Sequence, residues 1–223
     1  MPRTARVDLA GYPYHVINRA VMRLRIFNSD RDYRCFEEIL EKTVAESDMR
    51  LLAYAIMPNH WHLLLYPVED GSLSSFMHQL TNKHTRTVKS QTKTIGTGPL
   101  YQGRYKSFMI QEDRHLLTAL KYIERNPVRA RLIDRAENWK WGSAWRRTHG
   151  TEDQRDVLAR SPVPLPADYA VWVNTPESSE LLKKVRVSVN KGAPYGGESW
   201  VEKTARQFNL SSTLRNPGRP KGK

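Results

Sequence analysis

Leu51-Leu-Ala-Tyr-Ala-Ile-Met57, Pro58-Asn59, His60-Trp-His-Leu-Leu-Leu-Tyr66 reads as two apolar runs separated by two turn formers. Proline presets its own φ and asparagine tolerates tight-turn conformations. The pattern therefore predicts two antiparallel strands joined as a hairpin. Along a strand successive side chains face opposite ways. His60 and His62 then share one face, about 7 Å apart, while Trp61, Leu63 and Leu65 turn the other way, into a core.

Upstream of the hairpin, Tyr14-His-Val-Ile-Asn-Arg19 predicts a short strand. Ser29 is placed to cap a helix running through Tyr33, Phe36, Ile39 and Leu40 towards Ser47. Downstream, Leu73, Phe76, Met77, Leu80, His84 and Val88 follow helical spacing after Ser72, and Thr92 to Pro99 is a loop. Tyr105 to Ile110 is strand-like. Asp113 precedes a helix carrying Leu116, Leu117, Leu120 and Ile123, with Pro127 near its end. The order β-α-β-β-α-β-α is that of an α+β, ferredoxin-like split βαβ fold: an antiparallel sheet with helices on one face. Residues 1–150 are expected to form this domain. Residues 151–223 are expected to form a C-terminal extension: the proline-rich link Ser161-Pro-Val-Pro-Leu-Pro166, helices near Glu177 to Val189 and Ser199 to Leu210, and a basic tail ending Pro217-Gly-Arg-Pro220-Lys-Gly-Lys223.

Composition narrows the function. Thirty-six Lys and Arg face 23 Asp and Glu, for a formal charge of +13, with a mean hydropathy of −0.65. No run approaches the roughly 18 apolar residues of a membrane helix, and no apolar run follows Met-Pro-Arg-Thr-Ala-Arg at the start. The single Cys35 excludes an internal disulfide and a multi-cysteine zinc site. The expectation is a soluble, cytoplasmic protein with no membrane partner and with a polyanion, best a nucleic acid, as its ligand.

Two constellations carry chemistry. His60 and His62 suit one divalent ion; alternatively one of them is a core residue or a carboxylate's partner. On a wheel of about 100° per residue, Tyr122 falls roughly 150° from the apolar cluster and Asn126 about 40° from Tyr122. These two form an i, i+4 stripe: either part of a site, or a surface tyrosine beside a helix-ending asparagine.

His60-Trp61-His62 resembles the histidine-hydrophobic-histidine motif of HUH endonucleases, and Tyr122 with Asn126 resembles the tyrosine helix of their single-tyrosine members. Gly11-Tyr-Pro-Tyr-His-Val16, Tyr101-Gln-Gly-Arg-Tyr-Lys-Ser107, Tyr122-Ile-Glu-Arg-Asn-Pro-Val-Arg-Ala130 and Trp141-Gly-Ser143 make the chain most similar to the REP-associated tyrosine transposases (RAYTs), a bacterial family. Arg131 stands where that family often has glycine, and Tyr12-Pro13 where many members differ. The resemblance implies a DNA-nicking and joining enzyme. It would act on single-stranded, hairpin-forming palindromes in the bacterial nucleoid. Tyr122 would be the nucleophile, leaving a 5′-phosphotyrosine and a free 3′-OH, and His60, His62 and Asn126 would ligate Mg²⁺ or Mn²⁺. It further implies either a monomer or a homodimer.

Arg104, Lys106 and Tyr105 suit contact with a DNA backbone and bases, or are ordinary solvated charges on a strand edge. Arg125, Arg129 and Arg131 stand near the tyrosine and suit phosphate. Lys83, His84, Arg86 and Lys89 read as a basic helix face, or as the commoner ordinary solvated one. His15, His78, His115 and His149 have no visible partner and read as structural. The competing readings are a sequence-specific nucleic-acid-binding protein that does not cleave, and a metal-dependent phosphodiesterase that uses water, with Tyr122 a bystander.

Overall fold

The structure is a computed structural model and describes residues 7–215. The Pro217-Gly-Arg-Pro220 segment and the first six residues lie outside the described residues. Four strands form one antiparallel sheet: β1 (Tyr14–Arg19), β2 (Met49–Met57), β3 (His60–Pro67) and β4 (Lys106–Met109), in the order β2-β3-β1-β4. The predicted hairpin is β2–β3. Its turn is tied down from outside, because the Pro58 carbonyl accepts from Ile26 N (2.9 Å) and the Asn59 carbonyl from Ala20 N (2.9 Å).

The helices among the described residues are α1 (Asp30–Ala45), α2 (Ser72–Gln91), α3 (Arg114–Glu124), α4 (Asn126–Arg129), α5 (Ser143–His149), α6 (Glu152–Asp156), α7 (Tyr169–Asn174), α8 (Ser179–Lys191), α9 (Glu198–Gln207) and α10 (Ser211–Leu214). Their starts follow local chemistry. Ser29 and Asp32 form a reciprocal capping box at α1. The Asp113 carboxylate accepts from His115 N at 2.7 Å at the start of α3. Gly71, at φ 83°, supplies the left-handed turn before α2.

The α+β fold class is as predicted, but the helices do not keep to one face as expected: the sheet is covered on both. On one face α1 and α2 pack Phe36, Leu40, Phe76 and Leu80 against Val16, Trp61, Leu63 and Leu65. On the other, α3 and α8 pack Leu116, Leu120, Ile123 and Val185 against Ala53, Ala55, Leu64 and Phe108. Fully burying each such leucine or phenylalanine contributes about 1.5–3 kcal/mol, so neither face is left to water. The apolar stripe of α3 is what requires this second layer.

Both sheet edges are occupied as well. Ile56 N donates to the Trp141 carbonyl (2.9 Å) beside β2, and Tyr195 N donates to the Met109 carbonyl (2.8 Å) beside β4. Open edges invite pairing with another chain; here the chain's own later segments take those hydrogen bonds.

Candidate active site

β3 carries His60 and His62 on the face that meets α3. Opposite them in β1 stand Arg19 and Ile17, and the two imidazole centroids are 5.0 Å apart. Tyr122, near the end of α3, brings its ring centroid to 6.4 Å from that of His62. His60, His62, Tyr122 and Asn126 together line a cleft of about 420 Å³, which Arg19, Arg104 and Lys106 also border.

The break between α3 and α4 sets the asparagine. Pro127 has no N–H, so it cannot donate to the Ile123 carbonyl four residues back. The Asn126 side-chain amide does so instead, Nδ2 to Ile123 O at 3.2 Å. That fixes the amide's orientation and leaves Oδ1 to accept from Arg129 Nη2 at 2.9 Å. The same guanidinium donates to the Tyr122 carbonyl and lies 4.0 Å from the Tyr122 ring centroid. Arg129 is held in turn by Glu177, Nη1 to Oε1 at 3.1 Å. The wheel places Tyr122 off the apolar stripe, yet in the fold it is only 7% exposed. Its ring packs against His15 and His62 of the sheet, in the same buried cluster as Leu116, Leu120 and Ile123, and the Arg129 guanidinium covers its other side.

The histidines are held neutral by burial. His60 is pulled down to about 4 by desolvation, with help from Arg19. His15 falls to about 3 through desolvation and the Arg129 charge. His62 is lowered well below its ordinary range by desolvation, then by its histidine neighbours, Arg129 and Arg19. Neutral imidazole is the form that binds metal.

The donor set fits a divalent cation. His60 Nδ1 is 2.7 Å from Asn59 Oδ1, and Asn59 Nδ2 is committed to the Arg23 carbonyl at 3.0 Å. His60 Nδ1 is therefore the N–H, and Nε2 keeps its lone pair. His62 Nδ1 meets His15 Nε2 at 2.8 Å, while His62 Nε2 is buried with no hydrogen-bond partner. Among the described residues no three His, Cys, Asp or Glu side chains are grouped to hold a metal, so a third protein donor would be the Asn126 amide oxygen. Two imidazole nitrogens and an amide oxygen, without thiolate, are donors that a divalent cation can take.

His15 is the residue the sequence reading missed. Read there as structural and without a partner, it is fully buried and stands diagonally across the β1–β3 pair from His62. The other expected contacts divide. Arg104 and Lys106 are exposed in the cleft. Tyr105 is only 8% exposed, with its hydroxyl 3.4 Å from Ser74 Oγ. Arg125 is buried away from the cleft: Nε lies 2.9 Å from Glu177 Oε2, close for an ion pair though not aligned as a hydrogen bond, and Nη1 donates to the Val173 and Asn174 carbonyls. Arg131 is exposed, in a left-handed conformation (φ 57°), and does not line the cleft. His84, read as part of a basic face, is buried on α2.

The family model for IS200-like transposases matches residues 9–126. A protein of Haemophilus influenzae that carries the provisional name REP-associated tyrosine transposase is 26% identical over 117 residues, or 48% of this chain. The chain spans 66% of that protein's length. Among solved structures, that of a REP-associated tyrosine transposase bound to a REP hairpin aligns with 72% of this chain and 96% of its own, at 18% identity and a TM-score of 0.56. That likeness is one of fold. Among the described residues no helix is long and apolar enough to cross a membrane.

Proposed function

The chain belongs to the IS200-like transposase family, and from that premise we propose that it cuts and rejoins single-stranded DNA at hairpin-forming, REP-like palindromes, with Tyr122 as nucleophile. The observation that carries this reading is the convergence of Tyr122, His60, His62 and Asn126 on one cleft of a single chain. The REP hairpin to which the structural neighbour is bound supports the choice of DNA.

In this reading the Tyr122 hydroxyl oxygen forms a bond to the scissile phosphorus and the bond from phosphorus to the 3′-oxygen breaks. The phenol proton leaves to solvent and the departing oxygen takes one up. The products are a 5′-phosphotyrosine and a free 3′-OH. The phosphodiester energy stays in the new link, so a 3′-OH from another strand reverses the step and joins it. A divalent cation held by His60, His62 and Asn126 would supply charge neutralisation at the phosphate. Arg129 keeps the Tyr122 ring in place through its stacking contact and holds the Asn126 oxygen by a hydrogen bond. Lys106 and Arg104 bind flanking phosphates. Because all these groups come from one chain, one protomer suffices.

The test is a labelled DNA hairpin with single-stranded flanks, incubated with protein and Mn²⁺ and run on a denaturing gel. A covalent adduct that Tyr122→Phe abolishes is expected. Cleavage persisting in Tyr122→Phe would overturn the nucleophile in favour of activated water. Retarded DNA with no adduct in the native protein would leave a binding protein without cleavage.

A further inference from the structure

The connection from β1 to α1 carries backbone strain. Met22 (φ 51°) and Arg23 (φ 59°) are consecutive residues in the left-handed region, where a side chain crowds its own backbone and glycine or asparagine ordinarily stands. Both side chains are exposed, Met22 at 82%, so their burial does not offset the cost. Strain of this kind persists only where the surroundings impose it. Here the flanks are pinned. Val21 N donates to the Leu100 carbonyl (2.9 Å), and Ile26 N (2.9 Å) and Phe27 N (3.2 Å) both donate to the Pro58 carbonyl. Between these anchors the Arg23 carbonyl accepts from Asn59 Nδ2 at 3.0 Å.

That hydrogen bond decides which way the Asn59 amide points. A carbonyl only accepts, so the group facing it is the NH₂, and the amide oxygen faces His60 Nδ1, 2.7 Å away. Reversed, the amide would set oxygen against oxygen at Arg23 and offer N–H to Nδ1, which would move the imidazole proton to Nε2. In that tautomer Nε2 has no lone pair for a cation. His62 takes its orienting contact from within the sheet, at His15 Nε2 (2.8 Å). His60 is the first residue of β3, and its orienting contact comes instead from the turn and the loop tied to it.

We propose that the loop 20–27 is a positioning element for His60: the strained Arg23 carbonyl orients Asn59, and Asn59 holds the imidazole proton on Nδ1, so that Nε2 keeps its lone pair for the cation. Asn59 and Arg23 are positioning residues, and neither lines the cleft. The proposal rests on the cation-binding part of the reading above and extends it to residues outside the donor set.

The test uses the full-length protein without DNA. A long-range proton–nitrogen imidazole spectrum of the metal-free chain near neutral pH reports the tautomer, and calorimetry reports Mn²⁺ binding. The native chain is expected to carry the His60 proton on Nδ1. Asn59 does not take a positive φ, and its carbonyl keeps the bond from Ala20 N, so Asn59→Ala preserves the turn. It should let the proton pass to Nε2 and weaken Mn²⁺ binding about tenfold or more. Asn59→Asp keeps an acceptor for Nδ1 and should keep the native tautomer. Arg23→Pro cannot adopt φ 59°, so its carbonyl moves, and it should shift the tautomer as Asn59→Ala does. Arg23→Ala loses the charge but keeps the carbonyl and should change neither readout. A His60 tautomer unchanged in Asn59→Ala overturns the proposal, as does an equal shift in Arg23→Ala and Arg23→Pro. The two readouts separate this failure from that of the cation reading. Mn²⁺ bound equally by the native chain and Asn59→Ala would remove the positioning role alone; the expected tautomers in a native chain that binds no Mn²⁺ would remove the cation alone.

Discussion

Trp61 and His62 are neighbours on β3, yet they enter two different kinds of polar network on opposite faces of the sheet. On the α1–α2 face, Trp61 Nε1 donates to the Tyr101 hydroxyl at 2.9 Å, and that hydroxyl meets His84 Nδ1 at 2.6 Å. Phe27 stacks on the His84 ring, and no atom of the three residues is buried without a partner. On the α3 face, His62 Nδ1 meets His15 Nε2, and His62 Nε2 and His15 Nδ1 are left buried and unpaired. An unpaired buried polar atom costs about 1–3 kcal/mol. The closed network is what a core requires; the open one is tolerated where a ligand completes it.

The largest effect should come from the clamp beside the open network. Glu177→Ala leaves the Arg125 and Arg129 guanidiniums buried without their carboxylate. Stability in urea should fall by about 3–5 kcal/mol, and adduct yield should fall with it as Tyr122 loses its support. Next, Tyr101→Phe breaks the closed network at its centre and strands two ring nitrogens. A loss of about 1–3 kcal/mol for each is expected, with cleavage per folded molecule unchanged; altered cleavage would erase the distinction between the two faces. His15→Phe should do the opposite. Ring volume is kept among Phe108 and Tyr122; the unpaired His15 Nδ1 disappears while His62 Nδ1 loses its partner, so two buried nitrogens stay unpaired as before and stability should change little. Mn²⁺ affinity by calorimetry should drop about 10–100-fold, as when a ligand loses its orienting partner.

The smallest effect is acid sensitivity. Burial lowers His84 to about 3 from an ordinary value near 6.5. The unfolded chain therefore takes up a proton below about pH 6.5 that the folded chain refuses until about pH 3. The stability contribution is present above pH 6.5 and is lost as pH falls. For this one group the loss from pH 7 to 6 is about 0.7 kcal/mol. Urea midpoints of the native protein and His84→Asn, measured at both values, should diverge less at pH 6; parallel midpoints would mean that His84 is charged when folded.

Much of the fold was readable locally. The β2–β3 hairpin follows from two apolar runs around Pro58-Asn59, α1 from Ser29, and α3 from Asp113, because turn and cap chemistry acts within a few residues. The stripe 73, 76, 77, 80, 84 already placed His84 with the core, although its imidazole and the neighbouring Lys83 and Arg86 suggested a basic face. His15 gave no such signal. Its contact with His62 exists only through the register of β1 on β3, 47 residues away in sequence. Arg125 and Arg129 looked free for phosphate because Glu177, some 50 residues on, is invisible to local patterning.

Sequence alone, then, determined the order of elements from β1 to α3, the shared face of His60 and His62, and the i, i+4 placing of Tyr122 and Asn126, since these depend on backbone periodicity and short-range hydrogen bonding. Tertiary structure decided which groups were spent and which stayed open: His15 joined the histidine pair, Arg125 and Arg129 went to Glu177, and Tyr105 went into the core. Such outcomes depend on which strands and helices meet, and a buried charge or imidazole takes the partner that meeting supplies, because solvent is no longer there to do so.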